Sequence, residues 1–97
     1  MARPPIHPGE ILAEELAFLD RCATGVAPEL DVPVNRVTQI LNGDRGLTAN
    51  TALRLGHWLG MNPAFWMNLQ IQYELRKAEA EAGAEIRARV RPRQEVA

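Results

Sequence analysis

Apolar residues recur along this chain at the spacing of helix faces, and the breaks between them fall at Gly and Pro. In "GEILAEELAFL", Ile11, Leu12, Leu16 and Leu19 gather near one face while Glu10, Glu14 and Glu15 take the other. That is an amphipathic helix with acids toward its positive end. Pro8 suits its first turn, and "MARPPIHP" before it reads as an extended arm over residues 1–7. Val26 and Leu30 stand one turn apart in "DRCATGVAPELD", but Gly25 and Pro28 predict only a short, irregular helix there. Pro33 opens a third helix, with Val37, Ile40 and Leu41 as its apolar stripe, that runs to Asn42 and stops at Gly43. After the loop "GDRGLT", Thr48 caps a fourth, "ANTALRLGHWLG", whose buried candidates are Leu53, Leu55, Trp58 and Leu59. Asn62 and Pro63 open a longer fifth helix over residues 63–82 that carries Phe65, Trp66, Leu69, Tyr73 and Leu75. Residues 83–97 are polar and basic, either a frayed extension of that helix or a disordered tail.

The pattern predicts an all-α fold, five helices with no strand, packed as neighbours because the connections are short. The helical domain spans residues 8–82, between the arm and the tail. With 97 residues, 46 % apolar and 24 % charged, the chain suits one soluble globular domain. A net charge of -1 hides segregation: residues 1–32 hold six acids and two bases, residues 33–60 three Arg and one Asp. The middle of the chain is its basic part.

That middle holds an unusual helix. Around its apolar stripe, "VNRVTQILN" presents Val34, Asn35, Arg36, Thr38, Gln39 and Asn42, a face rich in hydrogen-bonding groups with a single charge. Spacing alone leaves open a solvated face that happens to hold amides. A short acid-rich segment and a tight turn precede it, however, which is the order of a helix-turn-helix unit whose second helix enters a major groove. Asn35 and Gln39 can pair in a bidentate way with adenine, while Thr38 and Val34 can meet base edges or a thymine methyl. Arg36 and Arg45, with Arg54 as a further candidate, would then clamp phosphates.

Other chemistry is thin. One cysteine, Cys22, excludes an internal disulfide framework, and with only His7 and His57 beside it no metal site or cofactor is expected. Glu14 and Glu15 sit on a solvated face without a pocket signature. No glycine-rich phosphate loop and no Ser/His/Asp order occurs, so no enzyme is expected. No signal peptide or membrane-length apolar run is seen, and a cytoplasmic location without membrane contact is the expectation.

Three motifs, "IHPGEIL", "VNRVTQILNGDRGLTANTALRLGHWLG" and "NPAFWMNLQIQYEL", together closely resemble the HigA family of antitoxins, the VapI-like branch of the XRE-type helix-turn-helix proteins. The resemblance covers residues 6–77 and implies a five-helix, lambda-repressor-like helix-turn-helix domain, here with an extended C-terminal helix. Such proteins are encoded beside a HigB-type toxin, an mRNA-cleaving ribonuclease. They bind that toxin and repress their own operon as homodimers on double-stranded operator DNA. Carried over, the recognition positions are Val34, Asn35, Thr38 and Gln39; Arg36 can meet backbone or base, and Asn42 and Arg45 lie in the phosphate-facing "NGDRG" turn. The chain departs from the family in its second helix. Cys22 stands where a capping Ser is usual, and Gly25 and Pro28 enter the helix, which predicts a short or displaced element.

The fifth helix carries more aromatic area than so small a core requires. The expectation is Phe65 and Leu69 in the core, with Trp66, Met67, Gln70 and Tyr73 at a dimer interface. The leading functional reading is an autoregulating antitoxin. The alternative is a stand-alone helix-turn-helix transcriptional regulator without a toxin partner, and a third is an interaction module whose DNA reading has decayed.

Overall fold

The computed structural model describes residues 4–94. The outermost residues of the expected arm and tail, 1–3 and 95–97, lie outside the described residues. Five helices follow one another: α1 (Pro8–Phe18), α2 (Ala23–Leu30), α3 (Val34–Leu41), α4 (Ala49–Leu59) and α5 (Ala64–Arg89). There is no strand among the described residues.

Four of the five helices close in the same way. Asp20 (φ 55°), Asp31 (φ 56°), Gly43 (φ 80°) and Gly60 (φ 69°) each take a left-handed conformation just past α1, α2, α3 and α4. The residue after each donates its N–H back to the last turn: Arg21 to Leu16, Val32 to Ala27, Asp44 to Gln39 and Met61 to Gly56. This Schellman closure satisfies terminal carbonyls and reverses the chain within two or three residues. Two of the four sites use Asp, which tolerates this region better than most residues.

The core draws on every helix: Leu12 and Leu16 from α1, Val26, Ala27 and Leu30 from α2, Val37 and Ile40 from α3, Ala52 and Leu55 from α4, and Trp66 from α5. Leu47, in the loop between α3 and α4, joins them. α1 crosses α3 so closely that a Cβ on Gly9 would run into the Ile40 carbonyl.

The structure corrects the sequence expectation in four places. α2 is a regular helix of eight residues that starts at Ala23, despite Gly25 and Pro28. Pro28 is exposed and removes one donor near the helix end, whereas Val26 and Ala27 are fully buried; burial outweighs local propensity. Leu53 is 61 % exposed, because the buried stripe of α4 runs through Thr51, Ala52, Leu55 and Gly56 and leaves Leu53 on the opposite side. Leu19, at the end of α1, is also largely exposed. α5 continues past the expected end at residue 82 to Arg89, so over residues 83–89 the helical extension holds and the disordered tail does not. Alanines suit that extension, and Arg87, 2.8 Å from Glu79, and Arg89, beside Glu85, place positive charge at its negative end. The extension gives the molecule its 56 Å long axis.

Candidate nucleic-acid interface

α2 and α3 pack through Val26, Leu30, Val37 and Ile40, with Asp31, Val32 and Pro33 as the turn between them. Burial of Val37 and Ile40 fixes the rotation of α3 and decides what it shows. Val34 and Asn35 are exposed; Arg36, Thr38 and Gln39 are half-buried at the base. The Thr38 hydroxyl donates to the Asn35 carbonyl at 3.2 Å, a bond within the helix that leaves its lone pairs outward. Past the helix end, Asn42 and Arg45 are exposed, and the loop turns back when the Asp44 and Arg45 N–H groups both bond the Gln39 carbonyl. The structure therefore brings the amide face and the exposed Asn42 and Arg45 to adjacent surface.

The cations divide clearly. The ion pairs of the described residues engage Arg21, Arg54, Arg87 and Arg89; Arg36 and Arg45 are in none of them, and neither are Arg76, Lys77, Arg91 and Arg93, which lie on α5 and beyond it. Arg54 is not available for phosphate as the sequence suggested. Its guanidinium donates to the Leu30 and Asp31 carbonyls at 2.9 and 3.1 Å and to Asn50 at 2.7 Å. It ties α4 to the turn of the reading unit.

The expected dimer residues do not act together. Trp66 is 1 % exposed, in the core, with its indole Nε1 buried and unpartnered. Gln70 is also buried, and its Oε1 accepts the Leu47 N–H at 2.7 Å. Neither is available to a second copy. Met67 and Tyr73 are half-buried, and Tyr73 stands edge-on to His7 with ring centroids 4.8 Å apart. Phe65, expected inside, is exposed and packs edge-on to Trp66. The inner stripe of α5 runs Trp66–Gln70–Tyr73, and that rotation displaces Phe65 outward while turning Met67, Ile71 and Leu75 to the other flank.

His7 is the residue whose role the sequence least disclosed. It is buried, caps α1 by accepting the Gly9 N–H at 2.9 Å, and its own N–H donates to Glu10. Burial lowers its pKa, against the attraction of Glu10. The clue was the motif "HPGE", where a His before Pro and three residues before Glu forms a capping box. Among the described residues no group of three His, Cys, Asp or Glu comes together as a metal site.

A helix packed on its neighbour through a tight turn, with a free amide face and two arginines outside the ion pairs, defines a helix-turn-helix DNA-binding domain. No protein-family model matches the chain. A solved HigA-family antidote protein from Coxiella burnetii is 52 % identical, with a TM-score of 0.92 over 94 % of this chain and 100 % of that one. Antitoxin HigA of Pseudomonas aeruginosa, solved with the higBA promoter, is 40 % identical, with a TM-score of 0.89 over 93 % of this chain and 99 % of that one. Virulence-associated protein I of Dichelobacter nodosus is 44 % identical over 78 % of this chain and 71 % of its own length. The chain belongs to the HigA family of antitoxins.

Proposed function

We propose that this protein is a DNA-binding antitoxin that represses its own operon and neutralises a HigB-type mRNA-cleaving toxin. The observation that carries the DNA reading is the free face of α3, on a fold shared with a relative solved on promoter DNA. Val34, Asn35, Thr38 and Gln39 read base edges in the major groove, and Arg36, Asn42 and Arg45 hold the flanking phosphates. Two copies act together. Trp66 and Gln70 are excluded from their contact by burial, and Met67, Ile71 and Leu75, one turn apart on α5, form the apolar stripe on which the copies meet.

The assay is binding to the DNA immediately upstream of the gene, against a scrambled duplex of equal length. Specific binding tighter by about 10³-fold or more is expected. Equal binding to both duplexes contradicts the reading. Co-expression with the neighbouring toxin frame tests the second activity; growth that the antitoxin does not rescue removes the toxin partner and leaves a stand-alone regulator.

A further inference from the structure

The segment Gly43–Leu47 between α3 and α4 has no regular secondary structure, yet side chains from outside the reading unit hold it at two points. Gln70 of α5 reaches under it. Its Oε1 accepts the buried Leu47 N–H at 2.7 Å, and its Nε2 donates to Glu74 at 3.2 Å. The loop passes so near that a Cβ on Gly46 would lie 2.8 Å from that Nε2. The second hold is His7. Its Nδ1 accepts the Gly9 N–H, and the ring lies against the start of the loop, where a Cβ on Gly43 would come within 3.9 Å of its Cγ. The ring itself is braced edge-on by Tyr73, one turn beyond Gln70 on the inner face of α5.

Neither residue faces outward, and neither is required to make the reading helix. Gln70 bonds the far end of the loop that carries Arg45, and the His7 ring packs against its near end. We infer that Gln70 and His7 are positioning residues of the DNA interface: they fix the α3–α4 loop so that Arg45 meets a phosphate at a set distance from the bases read by α3. The inference rests on the proposed contact of Arg45 with phosphate. Its physical content is pre-organisation. A loop ordered before binding does not lose its freedom at the moment of binding, so the phosphate contact contributes in full.

Gln70→Met removes the acceptor at similar volume. His7→Asn keeps a cap for α1 but removes the ring that packs against the loop. Two readouts on the full chain separate the parts of the claim. Amide exchange at Gly46 and Leu47 without DNA reads the clamp. The slope of operator affinity against salt reads the phosphate contact.

Both variants, at a temperature where circular dichroism shows the full helix content, should speed those amides. They should weaken operator binding about tenfold and flatten the salt slope by about one phosphate. Adding Arg45→Ala to either should cause little further loss. The exchange Gln70→Glu with Glu74→Gln, which keeps an acceptor under Leu47 and the bond between the two side chains, should restore the slope. A destabilised Leu12→Ala control should keep it.

Faster exchange with wild-type affinity and slope overturns the positioning role, as does full additivity with Arg45→Ala. If Arg45→Ala alone leaves the slope unchanged, the phosphate assignment falls and the positioning role with it. That outcome is distinct from a clamp that fails to slow exchange.

Discussion

Asn35 and Gln39 stand on the face of α3 that the burial of Val37 and Ile40 turns outward. If they read bases, Asn35→Ala or Gln39→Ala should each cost ~1–3 kcal/mol of specific binding and leave non-specific binding nearly unchanged. Competition titrations with specific and scrambled duplexes measure both. His7 makes a different claim. Its pKa is lowered in the folded protein by burial, so the unfolded chain binds more protons wherever the pH lies between that lowered value and about 6.5. Its contribution to stability is complete above that range and is lost as the pH falls through it. Urea unfolding at pH 7.5 and 5.5 should show a drop that His7→Asn diminishes; equal pH dependence in both proteins would refute it. At this scale the sequence disclosed which polar groups of α3 lie outside the core and did not disclose the buried ones elsewhere. The amides of α3 were legible because their face lacks the Glu and Lys of an ordinary solvated helix. Gln70 was not, because whether a polar side chain at a helix edge is an interface group or a buried strut depends on the loop packed against it, and that is tertiary information.

The helices themselves follow the apolar period and its Gly and Pro breaks, and the left-handed closure at Gly43 fell where expected. α2 was misjudged because Gly25, Pro28 and the uncapped Cys22 are all locally unfavourable, and its three buried residues override them. That conflict is testable. Gly25→Ala places a Cβ in open space, with Cys22 Sγ the nearest atom at 4.0 Å, and should stabilise by about 0.5–1 kcal/mol. Cys22→Ser adds the missing cap and should contribute about 1 kcal/mol more. Thermal or urea melts decide this, and destabilisation by Gly25→Ala would mean that α2 is not helical at that position. The end of α5 was illegible for another reason. Beyond Lys77 nearly every residue is exposed, so no core-facing stripe marks the continuation. Alanine propensity and the Glu79–Arg87 pair carry the helix instead. Trp66→Ala, by contrast, removes a core anchor of α5 and should cost about 3–5 kcal/mol, whatever the protein binds.

One reading unit of this size covers few base pairs, so the proposed operator repression calls for two copies. A two-fold pair would match half-sites about 34–36 Å apart. The surface proposed for that contact is Met67, Ile71 and Leu75, in place of the buried Trp66 and Gln70. Leu75→Glu leaves the core untouched and should give a folded monomer by sedimentation and circular dichroism, with operator affinity reduced far more than stability. A Leu75→Glu protein that stays dimeric moves the interface elsewhere on the surface. Repression by this molecule, as proposed, requires α3 to lie in the groove of its own operator. The most direct measurement is the affinity of wild-type protein and Gln39→Ala for the upstream duplex and for a scrambled one, at a single stated salt concentration. Wild type should prefer its operator by about 10³-fold or more, and Gln39→Ala should lose about tenfold or more of that preference while binding scrambled DNA as before. A wild-type protein that binds both duplexes alike, or a Gln39→Ala protein with the full preference, would contradict it.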